Sequence, residues 1–528
     1  MPGHRLYARQ PRGPSVRSVS PSDAIEMKDD PDVLAAVLED AAHYPGGHAR
    51  YLAAPRNEIE VAAVLRSCDR VLPIGAQSSL TGGATPMGDV VLSTARLNRI
   101  LEITDESVRV QAGVALTDLD RELAGTGRYY PPVPTFMGAL VGGVVSTNAA
   151  GAATFKYGTT RDWVLGLTVV LADGDVLDLR RGDTLADVSS CFEIETPGGT
   201  VRIPVPSYRM PHVPKLSAGY FAASGMDLID LFIGSEGTLG VIVDATLRIM
   251  AVRPAFCLAF LTVPTRSAGM ELVRELRGQK HVSALEHMDA RCLALLREDG
   301  VDHQHGVPIP LDAAIGLLVT LELPPATTSD SAFDEIGRFR ELESPLARFC
   351  QGLERARLLD RVEIAVPGDS ARAAQLLALR EAVPAAVNAR VGRAKTAIDA
   401  RIEKTAADMI VPFEQLEHLM QLYDDEFARR GLDAAVWGHI SDGNLHPNVI
   451  PRSIADVDSG KEAIRIFGRE VIRLGGSPLA EHGVGRNPVK QALLRDLYGD
   501  QGIDEMRAVK RSLDPNYKLA AGVIFPER

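Results

Sequence analysis

The stretch from residue 131 to 158, PPVPTFMGALVGGVVSTNAAGAATFKYG, constrains the fold more than any other segment. It is dominated by Gly, Ala, Ser, Thr and Val, which add little bulk and let the backbone come close to another body. A run of this kind implies a flat surface against which something large and rigid packs. Upstream, residues 73–86 read PIGAQSSLTGGATP, where Gly75, Gly82 and Gly83 permit positive φ and Ser78, Ser79 and Thr81 supply hydroxyls. A helix, NEIEVAAVLRSC, and a short strand, RVLPIG, lead into that loop. Successive backbone N–H groups in such a loop form a nest for phosphate oxygens. The loop is neither a Walker A motif, since no Gly-Lys-Ser/Thr follows, nor GxGxxG. Taken alone, it reads equally as an ordinary glycine-rich loop.

The segments DVVLST and VRVQAG read as strands, TDLDRELAGTG as a helix ending at glycine, and WVLGLTVVLADGDVLDL (163–179) as a hairpin around Asp-Gly. A helix, MDLIDLF, and a strand, GTLGVIVDATLRIM, close this half near Arg253. From Pro254 the character shifts to strands and long Ala/Leu/Arg helices, such as PTRSAGMELVRELRG and DSARAAQLLALREAV. At ~150 residues per domain, a chain of 528 residues implies about three units or two large ones.

Charge and cysteine usage exclude several classes. Lys+Arg 57 against Asp+Glu 69 gives net −12, which disfavours nucleic acid and anionic lipid as general partners. The five cysteines, at 68, 191, 257, 292 and 350, form no CxxC pair or cluster, so the chain carries no iron–sulfur or cysteine–zinc centre of its own. Their odd number predicts a reducing compartment, the cytoplasm, with peripheral membrane contact as an alternative. No apolar run reaches the ~18 residues that span a bilayer. Arg5, Arg9, Arg12 and Arg17, interrupted by Pro2, Pro11 and Pro14, predict a disordered tail rather than a targeting signal.

The densest polar motifs lie near the C-terminus. Residues 437–448 read WGHISDGNLHPN and residues 481–486 read EHGVGR. His439 and His446 bracket the turn Asp442-Gly443-Asn444, so residues on either side can converge on one point. Two imidazoles and a carboxylate, Glu481, suit a borderline divalent ion such as zinc. The competing reading is a pair of turn-flanking histidines bonded to backbone. His482, next to Glu481, is suited to general-base work near neutral pH.

The two glycine-rich segments, followed by IGSEGTLGVI at 233–242, resemble the FAD-binding domain of the vanillyl-alcohol oxidase/p-cresol methylhydroxylase (PCMH) superfamily. The C-terminal motifs resemble HGHxGDGNLHxN and EHGxG of the FAD-linked D-2-hydroxyacid dehydrogenases, a group that includes D-lactate dehydrogenase, D-2-hydroxyglutarate dehydrogenase and the glycolate oxidase flavin subunit. The resemblance spans about residues 50–525, ending in LDPNYKLAAGVIF, and it implies an α+β fold. A two-subdomain PCMH-type FAD-binding domain would be joined to an α+β substrate (cap) domain with an antiparallel sheet. It also implies that Ile74, Gly75, Ala76, Gln77, Ser78, Ser79 and Thr81 hold the FAD pyrophosphate. Pro132, Thr135, Gly142, Gly143, Ser146, Asn148 and Gly151 would follow the flavin and ribityl chain, with Glu236, Gly240 and Ile242 near the adenosine. The absence of His and Cys from 73–86 predicts non-covalent FAD.

By the same resemblance, His439, His446 and Glu481 are metal ligands, His482 is the catalytic base, and Arg380, Lys404 and Asn444 meet the substrate. Trp437 stands at the family's leading His, Ser441 at its Gly, Pro384 at a threonine four residues after the arginine, and Ala406 at a lysine two residues before an Asp, with Lys404 close by. Residues 390–404 carry a local net +3, readable as a solvated helix face or as a landing site for an anion. The expected units are a lead-in over 1–47, the FAD-binding domain over 48–253, the cap over 254–480, and a segment over 481–528 that returns to the FAD domain. The implied activity is metal-assisted oxidation of a D-2-hydroxy acid, with hydride passing to flavin N5. Quinone, cytochrome or electron-transferring flavoprotein would accept the electrons, and a homodimer is a candidate assembly. A flavin subunit of a larger complex, a non-redox alkyl-transferring relative and a flavin-free metal-dependent hydrolase are the alternatives.

Overall fold

The structure is a computed structural model and describes residues 14–18, 25–132, 134–187 and 190–527. Among the described residues its first half holds three sheets, the smallest of them the antiparallel hairpin Cys191–Thr196/Gly199–Pro204. In the four-stranded sheet, His48–Ala53, Met87–Ser93 and Val71–Ile74 run parallel, with Met27–Lys28 antiparallel at one edge. The helix Glu58–Ser67 makes the crossover. Asn57 starts it by accepting the Glu60 N–H at 2.9 Å, and Val61, Ala62, Val64 and Leu65 form its buried face. The glycine-rich loop therefore begins at the carboxyl end of a parallel strand, where open α/β sheets place ligands.

The second sheet has six strands, in the order Ser15–Arg17, Val176–Arg180, Val164–Val170, Val241–Arg248, Ser107–Gln111, Ile100–Ile103. The expected 163–179 hairpin is present, with Val170 opposite Val176 and Gly174 at φ 85° in its turn. The N-terminal tail is ordered at Ser15–Arg17, because that strand pairs with Val176–Asp178 and Arg17 forks onto Glu58 at 2.6 and 2.7 Å. Arg5, Arg9 and Arg12 lie outside the described residues.

The second half is built on an antiparallel sheet whose central strands are Ala255–Val263, Ile315–Leu323, Val282–Asp289, Ala434–His439 and Asn444–Val449. One face packs on the helices Arg266–Arg277, Pro345–Arg355, Leu416–Arg430 and Ile454–Arg473. The other packs on Ala290–Glu298 and the long helix Ser370–Ala397. That helix runs through Pro384, whose missing N–H would have met the carbonyl of Arg380. The helical segment Pro488–Leu513, broken at Gly499 (φ 69°), leaves this half and packs on the strand Gly199–Pro204, its Leu494, Ile503, Met506 and Val509 joining the first half's core.

Candidate active site

A cavity in the first half is lined by Ile74, Gly75, Ala76, Gln77, Ser78 and Ser79, by Thr135, Gly142, Gly143 and Ser146, and by Glu236, Gly240 and Ile242. Glu481 and His482 belong to the same wall. The cavity fits a bound flavin nucleotide: no atom lies within 4 Å of where a Cβ on Gly143 would stand, so that backbone faces open space. Thr81, Pro132, Asn148 and Gly151 are not in the lining. Thr81 instead accepts the Arg486 N–H through its carbonyl at 3.0 Å, and Asn148 Oδ1 accepts the Arg161 N–H at 2.9 Å. The Gly151 N–H donates to Thr154 Oγ1 at 3.1 Å, and Pro132 is buried. Leu80, Thr94, Phe136 and Ala149 line the cavity without having been singled out in the sequence. Glu236 also acts as a clamp, accepting the N–H groups of Val484 and Gly485 at 2.8 Å each.

At Glu481 and His482 the two halves meet. His439 ends one strand and His446 lies in the next, and the turn between them needs Gly443 at φ 82°, where a Cβ would stand 2.2 Å from the Val411 carbonyl oxygen. This brings the His439 and His446 rings to 5.5 Å between centroids, and His482 stacks on His446 at 5.1 Å. The Nε2 atoms of His439, His446 and His482 stand 3.2, 3.4 and 3.6 Å from one oxygen, Glu481 Oε1. The other oxygen, Oε2, accepts a hydrogen bond from Lys215 at 2.8 Å.

Asp408 underlies the group. Its Oδ2 accepts the N–H of Glu481 and of His482 at 2.8 Å each, its Oδ1 accepts Asn444 Nδ2 at 3.0 Å, and it lies 3.3 Å from Nδ1 of both His446 and His482. The donor atoms of Asp408, His446, Glu481 and His482 all fall within 4.8 Å of one another. Imidazole with carboxylate is donor chemistry that fits zinc, and the buried Asn444 Oδ1 has no partner among the described residues. Asp408, already occupied by main-chain N–H groups, is better suited to bracing the histidines than to ligation.

Residues 49–180 match the FAD binding domain family, and residues 253–524 match the C-terminal domain of FAD linked oxidases. The chain belongs to the FAD-linked oxidases. It is 30% identical to D-2-hydroxyglutarate dehydrogenase of Xanthomonas citri pv. viticola, over 90% of this chain and 89% of that one. Against D-lactate dehydrogenase of Anaerostipes hadrus it is 29% identical, over 88% and 87%. Against glycolate oxidase subunit GlcD of Bacillus subtilis it is 28% identical, over 89% and 88%. A solved alkyldihydroxyacetonephosphate synthase shares the fold, with a TM-score of 0.61 at 15% identity, covering 95% of this chain and 82% of that one.

In this FAD-linked oxidase, burial and charge set the protonation of the site. Burial lowers the His482 imidazole to about 4 although Asp408 opposes the shift, so at neutral pH His482 is a free base. Burial would also lower His439, but Glu286 at 3.0 Å and Glu481 outweigh it and raise it to about 9. Burial opposes ionisation of Glu481 as well, yet Lys215 and His439 hold its carboxyl well below the usual range.

Arg380, on the long helix, donates Nε to Glu286 Oε2 at 2.8 Å, and Glu286 stands directly opposite His439 across the strand pair. Among the described residues, no hydrogen bond occupies the Nη groups of Arg380, which leaves half of its fork for a ligand. Trp437 packs with Met288, Val383 and Val387 between sheet and helix. It thus supports the helix that carries Arg380. Ser441 is buried and passes its carbonyl to Arg277 Nε at 2.7 Å. The basic run does not converge on the site: Arg390 pairs with Glu298 and Asp299, Arg401 with Asp399, and Glu403 with Lys461. Lys404 is half-buried, and burial lowers its pKa. Among the described residues, no helix is long and apolar enough to cross a membrane.

Proposed function

We propose that this oxidoreductase converts a D-2-hydroxy acid, of the D-lactate or D-2-hydroxyglutarate type, into the 2-oxo acid. The observation that carries the reading is that Glu481 and His482 line the same cavity as the Gly75–Ser79 loop, so a hydroxy acid beside them would face a flavin. When bound, non-covalent FAD supplies the hydride acceptor at N5, and a divalent ion, zinc by its donor set, lowers the pKa of the substrate hydroxyl. His439, His446 and Glu481 would hold the ion, and on binding it His439 would give up the proton that Glu286 and Glu481 favour in the metal-free site. His482 takes the hydroxyl proton at Nε2, while Asp408 beside Nδ1 and the main-chain N–H keeps the ring aimed. Arg380 pairs its free Nη groups with the carboxylate, and Asn444 completes the polar wall. A quinone, a cytochrome or an electron-transferring flavoprotein would carry the electrons onward, and a homodimer is a candidate assembly.

The match to the FAD binding domain sets aside the flavin-free hydrolase. The reading is tested by mixing oxidised holoenzyme anaerobically with D- and L-2-hydroxy acids, with and without chelator. D-acids should bleach the flavin and chelator should slow the bleaching. Bleaching by L-acids alone, or no effect of the chelator, would overturn the proposal.

A further inference from the structure

Lys215 has no role in the reaction described so far, yet it is the most deeply placed cation of the site. It is 1% exposed, and its Nζ lies 2.8 Å from Glu481 Oε2 and 3.1 Å from Asp442 Oδ2. Three parts of the chain meet in that triad: Lys215 from the loop after the strand Gly199–Pro204, Asp442 from the histidine turn, and Glu481 from the C-terminal segment. The Lys215 loop is also stitched to its surroundings. The carbonyl of Leu216 accepts Asn148 Nδ2 at 3.4 Å, Ser217 Oγ donates to the Thr147 carbonyl at 3.0 Å, and the Ser217 N–H reaches the Leu479 carbonyl at 3.4 Å. Thr147 lines the flavin cavity, so one short loop joins the cavity wall to Glu481.

Two carboxylates share one ammonium here, and each has an oxygen turned toward it. For Glu481 the consequence is geometric. Oε2 is spent on Lys215, and Oε1 alone faces the three Nε2 atoms. We infer that Lys215 is a positioning residue that restricts Glu481 to a single coordinating oxygen and neutralises Asp442, keeping the ion weakly enough charge-compensated to act on a substrate hydroxyl. The inference rests on the metal reading given above and deepens it. Without Lys215, Glu481 is free to offer both oxygens and Asp442 adds an uncompensated negative charge beside them. In a buried site, each unneutralised carboxylate strengthens attraction for a divalent cation. Removing a cation of this kind therefore tightens metal binding while slowing the reaction, the reverse of what loss of a purely structural lysine does.

The test uses chelator-stripped holoenzyme carrying FAD. Zinc affinity is measured by competition with a chromophoric chelator, and anaerobic flavin reduction by a D-2-hydroxy acid is followed in parallel. Lys215→Met is expected to bind Zn²⁺ at least tenfold more tightly, retain FAD, and reduce its flavin at least tenfold more slowly. Lys215→Met/Asp442→Asn, which leaves only one carboxylate uncompensated, is the variant for the case where the single change does not fold, and it should show the same two directions. Unchanged or weaker zinc binding in a folded variant overturns the inference and leaves the proposed reaction standing. A wild-type protein that binds no divalent ion sinks the metal reading and the inference together.

Discussion

Asp408 holds His482 at two points, its Oδ2 accepting the main-chain N–H at 2.8 Å and lying 3.3 Å from the ring Nδ1. One carboxylate thus fixes the position of the backbone and the direction of the imidazole. The same oxygen takes the Glu481 N–H, so the proposed base and metal ligand are set by a single side chain. Asparagine at 408 would present an N–H₂ where an acceptor is needed. Asp408→Asn should keep FAD but lower the rate of flavin reduction and the zinc affinity, each by about 10–100-fold, the range typical of residues that orient metal ligands. Stopped-flow reduction and chelator competition check it.

Gly143 is the sharpest test of the cavity as a flavin site. A Cβ there meets no protein atom within 4 Å, so the side chain of Gly143→Leu starts into the open cavity where the flavin is placed. The variant should fold with a circular dichroism spectrum like that of the wild type and purify colourless. Retention of stoichiometric FAD would count against this placement.

Arg380 commits its Nε to Glu286, and among the described residues no hydrogen bond occupies its Nη groups. Arg380→Lys keeps the charge and loses the planar fork, so the KM for a hydroxy acid should rise about tenfold or more with a smaller change in kcat. Arg380→Met removes a partner of the buried Glu286, which should cost about 3–5 kcal/mol in denaturant unfolding.

The local chemistry of the site was legible in sequence, but its long-range contacts were not. The loop 73–86 and the Asp442-Gly443-Asn444 turn carry their geometry in consecutive residues: most of the loop lines the cavity, and the turn joins the two strands that carry His439 and His446. Lys215, Glu286 and Asp408 went unread because each is a single charge in an unremarkable segment, and only sheet register and chain crossing bring them to Glu481 and His439. Glu286 left one trace, a carboxylate inside the otherwise mostly apolar strand VSALEHMD. Pro384 suggests a helix end by the usual rule, yet the helix runs on to Ala397 because Val383, Val387 and Val391 pack on the sheet.

His287, beside Glu286 on that strand, is fully buried, and among the described residues neither ring nitrogen has a hydrogen-bond partner. Burial, aided by Arg266 and Arg380, lowers its pKa from 6.5 to about 3. Between those values the unfolded chain binds a proton that the folded one refuses, so stability rises with pH through that window and is lost as pH falls. His287→Phe should flatten this part of the acid limb and leave stability at pH 7.5 equal or higher. Urea unfolding at pH 4.5 and 7.5 measures the difference. An unchanged acid limb in the variant would contradict the assignment.

The joining of flavin cavity and histidine site in one space is tested most directly by His482→Asn, mixed anaerobically with a D-2-hydroxy acid that bleaches the wild-type flavin. The variant should bind FAD at full stoichiometry and stay yellow, because no group at that position takes the hydroxyl proton. Bleaching at the wild-type rate would contradict the account.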